Sequence, residues 1–260
     1  MILRRVVEHF RSQEWTAIGI DFVIVVFGVF FGIQVANWNE DRLTRAKAEV
    51  FTARLKEDLK AEAWRYQFLL EYYRDVRDAT EAAADALSGK TPLSNEPFLV
   101  HAYRATQYKQ GASRRATYDE LISTGNVGLI EDRKLLNLAV RAYSVVTIDA
   151  TVKEGVESPY RALFRMIVPN DTQRALAKHC GDRYILPGDY TDFDHVIDYA
   201  CESGLPEAEV DAAAEALRAD PQTLRYLRLR VADLETRLAD LTSNNRDVFE
   251  GFVGIAKETP

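Results

Sequence analysis

Between Trp15 and Trp38 the chain reads WTAIGIDFVIVVFGVFFGIQVANW, and from Phe22 to Ile33 no polar residue interrupts it. A helix over Thr16 to Ala36 is about 30 Å long at 1.5 Å per residue, enough to cross a bilayer's hydrocarbon core. Trp15 and Trp38 stand at its two ends, where amphipathic indoles favour the headgroup level. A cleaved signal peptide has an apolar core of about 7–15 residues and a small-residue exit. Here the run is longer and leaves through Asn37-Trp38-Asn39-Glu40. The stretch is read as an uncleaved signal anchor.

The division expected is a short cytoplasmic segment at 1–15, a transmembrane helix at 16–38, and an extracytoplasmic α-helical bundle at 39–260. Arg4, Arg5 and Arg11 precede the span, and Arg42, Arg45 and Lys47 follow it, so the positive-inside count nearly ties. The short leading flank and the placement of both cysteines in the larger part favour the N-terminus in the cytoplasm and the bundle in the periplasm of a bacterial inner membrane. A net charge of −7 argues against nucleic acid as a partner. The expected partners are the lipid bilayer and a second copy or another membrane protein.

The fold class expected is all-α. Phe51, Leu55, Leu59, Ala63, Tyr66, Leu70, Tyr73, Thr80, Ala84 and Leu87 follow steps of three and four, with one step of seven, an apolar stripe. Neither Gly nor Pro interrupts Gln34–Ser88, so the membrane helix is expected to continue as one rod until Gly89 and Pro92. A second stripe runs from Leu224 through Leu227, Val231, Leu234, Leu238, Leu241, Asn245, Val248 and Phe252 to Ile255. This is a coiled-coil-like heptad seam, with Asn245 as the polar residue setting its register. The two stripes are expected to pair in an up-and-down bundle. Thr117-Tyr118-Asp119-Glu120 has the form of a capping box. A helix opened by Glu131-Asp132 is expected to bury Leu136, Ala139, Val140, Tyr143, Val146 and Ala150. Residues 160–206, with Pro169, Pro187 and Pro206, read as short helices and loops inserted on the bundle.

Two stretches carry a resemblance. IDFVIVVFGVFFGIQVANWNEDR and TYDELISTGNVGLIEDRKLLNLAVRAY resemble a widespread group of uncharacterised bacterial single-span membrane proteins that share a domain of unknown function. Gln34, Asn37, Trp38, Asn39 and Glu40 match that group's Gln-x-x-Asn-Trp-Asn-Glu exit, whereas Asp21 stands where Glu is commoner. The resemblance implies a membrane-anchored helical architecture and brings no catalytic residues.

Candidate chemistry is sparse. His179, Cys180, His195 and Cys201 could hold zinc, but adjacent His179-Cys180 is poor chelating geometry. Outside the cytoplasm Cys180 and Cys201 are expected to be bonded to each other, with free buried thiols as the alternative. Asp189, Asp192, Asp194 and Asp198 lack the calcium-loop spacing. Trp64, Tyr66, Tyr72 and Tyr73 fit the bundle core or its rim, or the wall of a small-molecule pocket. In the membrane segment, Asp21, Gly28 and Gly32 share one face, and Gly28-x-x-x-Gly32 allows close helix approach. No catalytic residue, metal or cofactor is expected. The functional expectation is a membrane-anchored bundle acting by binding, as a sensor-like or scaffold module. The alternative is a membrane-anchored enzyme of hydrolytic type with its site in 160–206.

Overall fold

The computed structural model describes residues 15–191, 193 and 196–257, apart from the side chains of residues 15–18 and 21. Its first element, α1, is a single helix from Trp15 to Ser88. At 1.5 Å per residue it is about 110 Å long. Its two halves differ in what they touch. Val23, Phe27, Phe30, Phe31 and Ile33 stand exposed on a bare helix, whereas Phe51, Leu55, Leu59, Ala63, Tyr66, Leu70, Tyr73, Thr80 and Ala84 are buried. The stretch beginning at Phe22 is long and apolar enough to cross a membrane. The helix stops where Gly89 takes a positive φ of 76°. Lys90 N–H then donates to Asp85 O and Gly89 N–H to Ala86 O, which closes the last carbonyls.

The rest of the chain wraps the bundle half of α1 with shorter helices. These are α2 (Asn95–Arg104), α3 (Ala116–Ser123), α4 (Arg133–Ser144), α5 (Thr147–Val156), α6 (Pro159–Ile167), α7 (Asn170–Cys180), α8 (Glu207–Ala219), α9 (Thr223–Ala239) and α10 (Arg246–Ala256). A 3₁₀ turn at Asn126–Leu129 lies between α3 and α4. Among the described residues the fold is all-helical. Two apolar clusters divide the core. One gathers Phe51–Val76 of α1 with Leu135, Leu136, Leu234, Leu241, Val248 and Phe252. The other gathers Ala83–Ala86 with Phe98, Leu99, Tyr160, Phe164, Leu176, Leu217 and Leu227. The final stripe therefore runs antiparallel to the first and packs on it.

Three local details differ from the pattern read in the sequence. The final stripe is not one helix. Asp240–Asn244 forms a π turn, and Asn245, at φ −117° and ψ 41°, starts α10. Asn245 is half-buried and donates from Nδ2 to Asp240 O at 2.7 Å. The capping box does not form: α3 begins two residues earlier, with Arg115 at its N-cap, Thr117 N–H donates to Asp58, and Glu120 pairs with Arg54 of α1 at 2.7 Å. The helix expected from 131 breaks at Val145, which is extended at ψ 118°. Val146, just past the break, and Val140, on the outer side of α4, are both exposed. The segment read as short helices and loops does hold two short helices, α6 and α7, and the described residues between 181 and 206 are largely irregular. Ser158 caps α6 with Pro159 at its first position, which is why a proline there starts a helix.

Candidate functional site

Three segments far apart in sequence, joined by Ala256 of α10, line a cavity of about 820 Å³. The wall on α1 runs from Lys60 to Leu69; the others are the 109–114 loop and the 183–190 loop. Most of the wall is apolar. Trp64 and Phe68, one helical turn apart, stack with ring centres 5.1 Å apart and planes 6° from parallel. Phe193 meets both rings edge-on at 5.8 Å, and Tyr190 packs on Phe193 at 5.5 Å.

Each loop is fixed to α1 by polar contacts made at the cavity edge. Trp64 Nε1–H donates to the carbonyl of Asp189 at 2.7 Å, which ties down the 183–190 loop. Glu62, only 4% exposed, pairs with Arg65 and accepts from the Arg114 N–H at 3.0 Å. Arg65 also donates to Gly111 O. Lys109 Nζ and the Tyr72 hydroxyl both donate to Asp182, each at 2.9 Å. Burial, then the neighbouring Asp182 carboxylate, pushes the Tyr72 hydroxyl well above its ordinary range, so it stays a donor. Tyr73 holds the Lys109 backbone at 3.2 Å in both directions.

The charges of the wall are all of one sign. Lys60, Arg65, Lys109, Arg114 and Arg183 line the cavity, and no described lining residue is acidic. Glu62 compensates Arg65, and Asp182 compensates Lys109. Among the described residues no carboxylate pairs with Lys60, Arg114 or Arg183, whose guanidinium lies 3.7 Å over the Tyr199 ring. Such an arrangement can hold an anion beside an apolar body, since charge-assisted hydrogen bonds from rim cations fix the charge while the aromatic wall takes the body.

The residues singled out in the sequence fall as follows. Cys180 and Cys201 form a disulfide with Cα atoms 5.5 Å apart. The bond brackets the 183–190 wall. His179 Nε2 lies near Gly204, while His195, Asp192 and Asp194 lie outside the described residues. Asp189 accepts from the N–H and hydroxyl of Thr191, hydrogen bonds that hold its carboxyl below the usual range. Asp198 stands 3.9 Å from Arg104. Tyr66, Tyr72 and Tyr73 are buried, and Trp64 lines the cavity. Gly28 and Gly32 have open space where a Cβ would stand, and the Asp21 side chain lies outside the described residues. The cationic rim was missed in the sequence. Its only signal was the alternation of aromatic and basic residues from Lys60 to Phe68.

No protein-family model, curated protein or solved structure matches the chain.

Proposed function

We propose that this protein is a single-span protein of a bacterial inner membrane whose periplasmic helical bundle acts by binding, as a sensor-like or scaffold module for another membrane protein. The observation that carries this reading is α1 itself. One uninterrupted helix bears a bare apolar segment at one end and the buried stripe of the bundle at the other. Exposing that many large apolar side chains to water is unfavourable, and a bilayer removes the penalty. The Cys180–Cys201 bond supports the periplasmic side, because disulfides persist in oxidising compartments. The resemblance of the Gln34–Glu40 exit to single-span bacterial proteins points the same way.

Within the membrane, the face of Gly28 and Gly32 offers a partner helix the closest approach, and Asp21 lies near that face. The test joins topology to partnership. Protease added to intact spheroplasts is expected to digest the bundle, and a photo-crosslinker placed beside Gly28 to capture a membrane protein or a second copy. Gly28→Ile and Gly32→Ile should abolish capture, with Gln34→Leu leaving it in place. A bundle protected from protease, or equal capture in all three variants, would overturn the reading.

A further inference from the structure

We infer that the cavity between α1 and the disulfide-bracketed loop is a binding site for a small soluble organic anion with an aromatic or alkyl body. This deepens the binding role proposed above and rests on it. The apolar part of the ligand is set by the Trp64–Phe68 stack and the Phe193 and Tyr190 rings beside it, which offer a flat wall and an edge. The charge is set by Lys60, Arg114 and Arg183, three cations around one opening without paired carboxylates among the described residues. Among the described residues these three stay open to a ligand's charge, Arg114 and Arg183 from exposed positions, whereas Arg65 and Lys109 are neutralised by Glu62 and Asp182. The volume, about 820 Å³, falls within the range of small-molecule sites, not of macromolecular interfaces.

Position separates a soluble ligand from a membrane lipid held in place. Trp64 follows Trp38 by 26 residues on the same helix, which sets the cavity about 39 Å beyond the end of the apolar segment. An acyl chain anchored in a bilayer does not reach it, so the ligand must arrive through water. A free fatty acid and a ring-bearing acid share the required chemistry.

The test uses the full chain in detergent with Trp15→Phe and Trp38→Phe, so that Trp64 alone reports. Titration with 4-phenylbutyrate is expected to shift Trp64 emission saturably, and the neutral isostere 4-phenylbutan-1-ol to bind at least tenfold more weakly. Lys60→Gln with Arg114→Gln should weaken the acid by tenfold or more and leave the alcohol unchanged. That unchanged alcohol affinity, with an unaltered melting curve, shows the variant is folded. Competition by laurate at lower concentration than phenylbutyrate assigns the site to acyl anions; failure to compete assigns it to compact ring acids. Equal affinity for acid and alcohol, an unsaturable response, or indifference of the acid to the double variant would overturn the proposal. None of these outcomes bears on protease access or crosslinking, so the broader reading stands or falls separately.

Discussion

The Tyr66 hydroxyl donates to the main-chain carbonyl of Leu241 across 2.6 Å, joining the middle of α1 to the π turn between α9 and α10. Phe252 packs on the same ring at 5.1 Å. The contact places a polar pair inside the apolar seam where the final stripe changes direction.

Burial raises the Tyr66 hydroxyl to about 12, and Tyr103 to about 12 as well. Both are raised above the ordinary value of an unfolded tyrosine near 10. The folded state therefore holds its protons longer, and the resulting stability is full below pH 10 and lost as pH rises towards 12. Tyr66→Phe should lower stability at pH 7 by about 1 kcal/mol through the lost hydrogen bond. The same variant should show a shallower decline between pH 10 and 12. Urea midpoints at pH 7 and 11 measure both, and an equally steep decline in variant and parent would count against it.

Asn245→Leu is expected to destabilise the bundle by about 1–2 kcal/mol, because the side chain that satisfies Asp240 O is removed and a half-buried carbonyl is left without it. In an unbroken coiled coil the same change would stabilise. Thermal melts of the two proteins decide the sign. A raised melting temperature would mean that the final stripe runs as one helix in solution.

Replacing Cys180 and Cys201 with Ser should cost about 3 kcal/mol on the loop-entropy account of a closure this long. The 183–190 wall of the cavity lies inside that closure, so anion binding at Trp64 should weaken alongside stability. In freshly isolated protein, alkylation without reductant should label neither cysteine. Full labelling of both would remove the bond and the main support for a periplasmic bundle.

Two glycines on α5 and α10 look alike in the sequence and should respond differently to alanine. At Gly155 an added Cβ would lie 2.5 Å from Cβ of Tyr108, the root of a side chain that cannot swing aside. At Gly251 it would meet Leu138 Cδ1 at 2.5 Å, the tip of one that can. Gly155→Ala should lose about 1–3 kcal/mol to overpacking, while at Gly251 the helix-propensity gain of about 1 kcal/mol should nearly offset the strain. Denaturant midpoints falling equally in both variants would sink the distinction.

The long stripe from Phe51 to Leu87 was legible because burial on one side of a helix is a matter of spacing, and the spacing is nearly unbroken. The break at Asn245 was not, since steps of three and four record which side a residue faces and carry no record of the backbone hydrogen bonds. A cue was present in Thr242-Ser243-Asn244-Asn245, residues whose side chains compete for nearby backbone groups; Thr242 and Asn245 both do so here. Thr117 and Glu120 were misread because a local cap yielded to partners on α1, Asp58 and Arg54, some 60 residues away. The cavity was invisible for the same reason, its walls being three segments brought together only by folding.

Because α1 has no break, it also fixes a bearing. Trp64 follows Gly28 by 36 residues, and Phe68 follows Gly32 by the same number. Thirty-six residues make about ten whole turns at 3.6 per turn, so the two aromatics of the cavity and the two glycines share one compass direction, about 54 Å apart. Whatever stands against the glycines stands on the cavity's side of the mast. Two residues inserted near Arg42–Arg45, where the helix is exposed, would swing the bundle about 200° relative to the apolar segment while leaving the bundle's own packing untouched.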